Sequence, residues 1–235
     1  MSAYNNSALK IKKTVILALF CALAYATMFV LRFKVSFLTF DAKDAIITVA
    51  GLLFGPLAAL VISFMVAFIE MITVSDTALY GFIMNFVSSA AFSCTCSLIY
   101  KYHKNIKGAV AGLSVAVIST TAVMMAMNLI VTPFYMHAPV RDVANMIPTL
   151  LLPFNLTKSI LNASLVLILY KPVSRAMKAA KVLREEPSEN DQTDAAIVRK
   201  RKLTSVAVTL IGVALVILSA VVFIVLLNGE FALYN

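Results

Sequence analysis

The chain reads as an all-α integral membrane protein, with a six-helix core followed by a seventh, C-terminal transmembrane helix. Three observations point there. Of its 235 residues, 61% are hydrophobic and only 13% charged; mean hydropathy is +0.93; and the apolar residues fall in long runs separated by short basic stretches. A soluble domain cannot bury that much apolar surface, whereas a bundle surrounded by lipid need not. The formal charge of +9 does not imply nucleic acid, because the basic residues form no patch interleaved with aromatics. Cys21, Cys94 and Cys96 lie inside apolar runs with no redox-pair or metal-ligand spacing, which suits small packing residues.

The apolar segments predict helices over about 12–31, 44–54, 56–74, 78–100, 108–132, 149–170 and 203–227. Lys10, Lys12 and Lys13 precede the first run as in a signal peptide. That run is long for a signal core and further spans follow at once, so it is read as a retained helix. Gly55-Pro56 separates the second and third segments by a tight turn, since proline suits a first helical turn. The second segment covers only about 16 Å at 1.5 Å per residue. It is too short to cross a hydrocarbon layer of about 30 Å unaided, so it must be tilted, shielded, or extended by the preceding loop.

Basic residues set the orientation. With the N-terminus inside, fifteen Lys and Arg fall in cytoplasmic segments and four (Arg32, Lys34, Lys43, Arg141) outside, as the positive-inside rule requires. The division expected is a six-helix membrane domain over 1–175, a charged cytoplasmic linker over 176–202, and the added helix with a short outer tail over 203–235. The linker ends in Arg199-Lys-Arg-Lys202, which suits both topology and attraction to anionic lipid.

Polar chemistry enters the bilayer mainly at Lys158. Twelve of the twenty-one residues from Leu150 to Tyr170 are Leu, Ile, Val or Phe. An ammonium at that depth needs a partner, a cavity or a solute. Asn155 and Asn162 share its helix face, and Pro153 is placed to bend the chain. Asn128 and Tyr135 on the fifth segment, Glu70 on the third, Tyr80 and Asn85 on the fourth, and Phe40, Asp41 and Asp44 around the first outer loop all fall towards the outer side. An outward-facing pocket centred on Asn128, Asn155 and Lys158 accounts for them together. Each also has a plainer reading. Asn85 and Asn162 can bond neighbouring helices, Lys158 can pair with Glu70, and Asp41 and Asp44 can be loop or capping residues. A carboxamide offers donor and acceptor side by side. The pocket therefore suits a flat, amide-rich, neutral or weakly anionic solute such as a uracil- or flavin-like ring.

The chain has no Gly-x4-Gly-Lys-Ser/Thr phosphate loop, zinc-protease helix motif or nucleophile elbow, and His103 and His137 form no metal site by spacing. A binding module energised by something else fits better than an enzyme; no cofactor is called for. Ala18, Ala22 and Ala26 recur every fourth residue on one face of the first helix, a pattern that permits close helix approach.

These features together resemble the substrate-binding S component of an energy-coupling factor (ECF) transporter, in its riboflavin-specific branch. The matching pieces are the Ala18, Ala22 and Ala26 face, the Phe40-bearing outer loop, Leu53-Phe-Gly-Pro-Leu57, Met127-Asn-Leu-Ile-Val-Thr-Pro-Phe-Tyr135 and Leu152-Pro-Phe-Asn-Leu-Thr-Lys158, over about residues 12–175. The resemblance implies a vitamin site with Asn128, Asn155 and Lys158 on an isoalloxazine ring and the Phe40-bearing outer loop as its lid; Asp41, Glu70, Asn85 and Tyr135 are expected in the same pocket from their own chemistry. It also implies a coupling protein against the alanine face, two cytoplasmic ATPases, and uptake of riboflavin across a bacterial cell membrane by toppling of the whole component. Thr39-Phe-Asp-Ala-Lys-Asp44 departs from the family's usual Asp-Phe-Ser-Asp-x-Pro. Uptake of FMN or another vitamin, and a membrane protein that binds flavin without importing it, remain the alternatives.

Overall fold

A computed structural model describes residues 2–75, 77–179, 210–218 and 221, without the side chains of 2–10, 33–35 and 178. Helix α1 spans Ser2–Val30, and the chain then turns back in a short antiparallel hairpin, β1 (Phe33–Val35) against β2 (Leu38–Phe40). Helices α2 (Lys43–Phe54), α3 (Pro56–Thr73), α4 (Ala78–Tyr102) and α5 (Ile106–Met136) follow. After them come the short α6 (Val140–Asn145), a π turn over Ile147–Leu151, and α7 (Leu152–Ala179).

Among the described residues, five segments are long and apolar enough to cross a membrane: Ile11–Val30, Pro56–Thr73, Ala78–Tyr102, Ile106–Met136 and Ile147–Met177. Helix α2, with 12 residues, is the exception. It lies at the centre of the bundle, packed on α1, α3, α4 and α7, and nine of its residues are buried. Shielding by neighbours answers its shortness. Residues 210–218 are helical, and Gly212 packs on α7 beside Ile168 and Ser164. The rest of the expected seventh segment, and the linker from 180 on, lie outside the described residues.

The bundle keeps its apolar residues on both surfaces. In α1, Ile16, Phe20, Ala24 and Met28 recur every fourth residue and are buried, while Val15, Leu19, Leu23 and Phe29 are exposed. Outward Leu and Phe would be a fault in water and are normal against lipid. The interior contact between α2 and α4 is polar instead. Ser89 donates to the Asp44 carboxylate and Ser93 shares a 2.9 Å hydrogen bond with Thr48. Small hydroxyls at four-residue spacing hold the two helices together without bulk.

Two places depart from simple helix reading. Gly55, at φ +97°, forms the single-residue joint between α2 and α3, a conformation that favours glycine. Before Pro153 the helix widens by one residue, with the Leu151 N–H donating to the Met146 carbonyl five residues back. A proline lacks the N–H needed to continue the regular pattern, and π turns of this kind collect at functional sites. The sixth expected segment, 149–170, is thus a π turn followed by a helix reaching Ala179. The fifth runs from Ile106 to Met136, because Pro133 sits inside α5 rather than ending it.

Candidate binding site

The site grows from the hairpin. Its second strand delivers Asp41, which is 1% exposed, to the top of α7. There Lys158 Nζ donates to Asp41 Oδ2 at 3.1 Å and to the Thr39 carbonyl at 3.2 Å. On the other side of Asp41 lies Lys43, its Nζ 3.5 Å from the same carboxylate oxygen and 2.6 Å from Glu70 Oε2. Lysine, aspartate, lysine and glutamate therefore alternate in one buried chain running from α7 through the loop and α2 to α3. Removing an ammonium from water costs several kcal/mol unless opposite charge and hydrogen bonds replace hydration, and here both are supplied.

Asn162 locks the same junction. Its Oδ1 accepts the Ala45 N–H at 3.0 Å; its Nδ2 donates to the carbonyls of Asp41 at 3.2 Å and Lys158 at 3.1 Å. One carboxamide thus joins the start of α2, the loop and α7. Burial alone would raise the Asp41 carboxyl, but the Lys158 ammonium, with that of Lys43 after it, outweighs this and holds the group at about 2. The stability this pairing contributes is present above the ordinary carboxylate range and is lost as pH falls through about 2.

Above this chain a cavity of about 310 Å³ opens between the ends of α3, α4, α5 and α7. Lys158 and Glu70, the two ends of the charge chain, line it, as do Asn85, Asn155 and Tyr135. Asn155 Nδ2 donates to the Leu151 carbonyl at 2.8 Å, the last carbonyl of the π turn, which fixes the orientation of the amide. The aromatic wall is a row in which Tyr135 meets Phe37 edge-on at 6.1 Å and Tyr80 at 6.3 Å. Phe154 closes the floor and packs with Phe40.

Of the residues singled out in the sequence, Glu70, Tyr80, Asn85, Tyr135, Asn155 and Lys158 meet at this cavity. Phe40 and Asp41 stand behind its wall, where they anchor the hairpin. Asn128 is fully buried and does not line the cavity. Its Nδ2 donates to the Met124 carbonyl at 2.7 Å, and its Oδ1 accepts the Thr132 hydroxyl at 3.0 Å, so both polar ends are engaged within α5. Lys158 is partnered by Asp41, and Glu70 by Lys43. Lys43, by sequence one of the outer-side charges, is 1% exposed; the closely spaced Asp41, Lys43 and Asp44 are the signal for its burial. Arg32, Phe37, Met84 and Ser88 also line the cavity without having been singled out. Among the described residues, no three His, Cys, Asp or Glu side chains cluster as metal ligands would.

Asp41→Asn leaves two buried ammoniums sharing one fewer carboxylate. Thermal unfolding in detergent should show a loss of about 3–5 kcal/mol, the usual cost of breaking a buried pair on one side. Asp41→Asn combined with Lys158→Met should recover part of that loss; strictly additive losses would contradict the coupling.

Residues 12–173 match the family model described as "ECF transporter, substrate-specific component". The "Riboflavin transporter RibU" of Staphylococcus aureus (strain TCH60) is 26% identical over 177 residues, which cover 71% of this chain and 93% of that protein. A solved structure of the S component of a bacterial ECF transporter is similar with a TM-score of 0.61 and 26% identity, over 72% of this chain and 99% of that one. A multi-pass helical bundle with a polar cavity at one end, matched over most of its length, is a substrate-binding and non-catalytic component: the chain belongs to the family of ECF transporter substrate-specific components.

Proposed function

We infer that the cavity captures riboflavin from outside the cell and that the chain mediates its import with a coupling protein and two cytoplasmic ATPases. The observation that carries this reading is the shared cavity of Asn155 and Lys158, with Tyr135, Tyr80 and Phe154 at its walls. Oriented amide and ammonium donors address the carbonyl and imide edge of an isoalloxazine ring, and the aromatic faces cover its plane. The lysine and glutamate ends of the lining are already neutralised through the charge chain, so the cavity favours a ligand with little charge of its own. The similarity to a riboflavin transporter supports the same choice. Arg32 at the lining favours a second reading, FMN, since a guanidinium is a natural phosphate partner.

The excess of basic residues supports a cytoplasmic N-terminus and α4–α5 connection, and with them a cavity that opens outside. Energy comes from partners, because the sequence carries no phosphate loop. Helix α1 offers them a surface: Ala18, Ala22 and Ala26 are exposed on the side opposite the buried Ile16, Phe20, Ala24 and Met28. Small side chains there let a partner helix approach closely.

Riboflavin fluorescence should be quenched on binding, and competition against that signal should rank riboflavin ahead of thiamine and biotin. Asn155→Ala should weaken riboflavin by about 1–3 kcal/mol, the cost of an unpaired polar group; equal weak binding of all three vitamins would remove the flavin reading. FMN weakened selectively by Arg32→Gln would move the assignment to the phosphorylated ligand. Ala22→Trp should abolish copurification with the coupling protein while riboflavin still quenches normally, and unchanged copurification would remove α1 as the docking face.

A further inference from the structure

A second and larger cavity, of about 710 Å³, lies at the opposite end of the bundle. It sits where the α2–α3 joint meets the ends of α4 and α7, and its wall combines three kinds of surface. Lys101 and Lys104 bring positive charge from the end of α4; Tyr100, Tyr170 and Ser174 bring hydroxyls; Phe54, Pro56 and Leu57 bring apolar area. The two tyrosine hydroxyls are hydrogen-bonded to each other, so their rings stand edge-on at 5.7 Å across the gap between α4 and α7. At Gly55 the wall is bare backbone, with nothing within 4 Å of where a side chain would begin.

Among the described lining residues the titratable charges are Lys101 and Lys104, and both side chains are exposed. The cavity also opens beside Leu57, which is 72% exposed at the start of the membrane-crossing α3. A cavity with cations and hydroxyls at one edge and an apolar flank at the other has the polarity of an anionic phospholipid: phosphate and hydroxylated headgroup inside, acyl chain along α3. Basic pockets between helices at a membrane surface commonly hold such headgroups, and a free phosphate would make no use of the apolar flank.

We propose that this cavity binds the glycerophosphate headgroup of an anionic membrane lipid, with Lys101 and Lys104 on the phosphate and Tyr170 and Ser174 on the headgroup hydroxyls. The site is separate from the vitamin cavity and rests on the membrane-spanning bundle alone. A bound lipid would bridge α3, α4 and α7 at the end where the exposed alanine face of α1 also begins.

The test is native mass spectrometry of the full chain in detergent, titrated with phosphatidylglycerol, phosphatidylcholine, and glycerol 3-phosphate. Phosphatidylglycerol should bind roughly tenfold or more tightly than phosphatidylcholine, in keeping with two lysines each favouring an anionic lipid. Lys101→Gln with Lys104→Gln should erase that preference, while Lys107→Gln, on the same end but outside the lining, should keep it. Saturable glycerol 3-phosphate binding equal to that of the lipid would assign the site to a soluble phosphate and overturn the lipid proposal. Equal retention of the two lipids, or equal loss in the Lys107 variant, would reduce the cavity to general surface charge and overturn it too. Because riboflavin quenching reads the other cavity, it confirms that the variants fold, and its failure in the wild type would leave this result standing.

Discussion

Two lysines sit where a bundle in lipid has little water to give them, and the rest of the site follows from how they are neutralised. Asp41 stands between Lys158 and Lys43, with Glu70 on the far side of Lys43. No single helix could supply that alternation. It takes a residue from α7, two from the loop and start of α2, and one from α3, so the charge chain forms only when those elements are correctly placed. Unpaired, each ammonium would be strongly unfavourable; paired, they fix the hairpin to the bundle. Whether such pairs add net stability is secondary. Their consequence here is that one arrangement of loop and helices is far better than any other, and that arrangement leaves a cavity above it.

The cavity inherits its character from this support. Lys158 reaches the lining with two of its donor directions already used, on Thr39 and Asp41, and Asn155 reaches it with its amide held by the π turn. The polar groups that face a ligand are therefore oriented before it arrives, which lowers the ordering cost of binding. The aromatic row of Phe37, Tyr135 and Tyr80 comes from three different elements and completes a wall with a flat face. The opposite end of the bundle has a different chemistry, basic and hydroxylated, so the two ends of one helical bundle present chemically distinct cavities.

Much of this was legible in the sequence because hydropathy is a strong signal in a membrane protein. The long spans, the short α2 and the Gly55-Pro56 joint follow from apolar run length and from proline and glycine chemistry. Lys158 and Asn155 stood out because polar residues are costly in such runs. The hairpin did not stand out: three-residue strands carry no readable alternation, and theirs is tied to α7 by the Lys158–Asp41 ion pair, whose partners lie 117 residues apart in the chain. Asn128 illustrates the limit of reading residue type alone. A buried carboxamide can serve a cavity or its own helix, and Thr132 one turn later makes the second arrangement possible. Lys43 was obscured in the same way, since its acidic partner Glu70 lies 27 residues on.

The most direct measurement is an experimental structure of the full chain with riboflavin bound. The account predicts the isoalloxazine ring in the cavity between α4, α5 and α7, its polar edge within hydrogen-bond distance of Asn155 and Lys158, and Asp41 still bridging the two lysines. A flavin bound elsewhere, or a ring in this cavity that touches neither Asn155 nor Lys158, would contradict it.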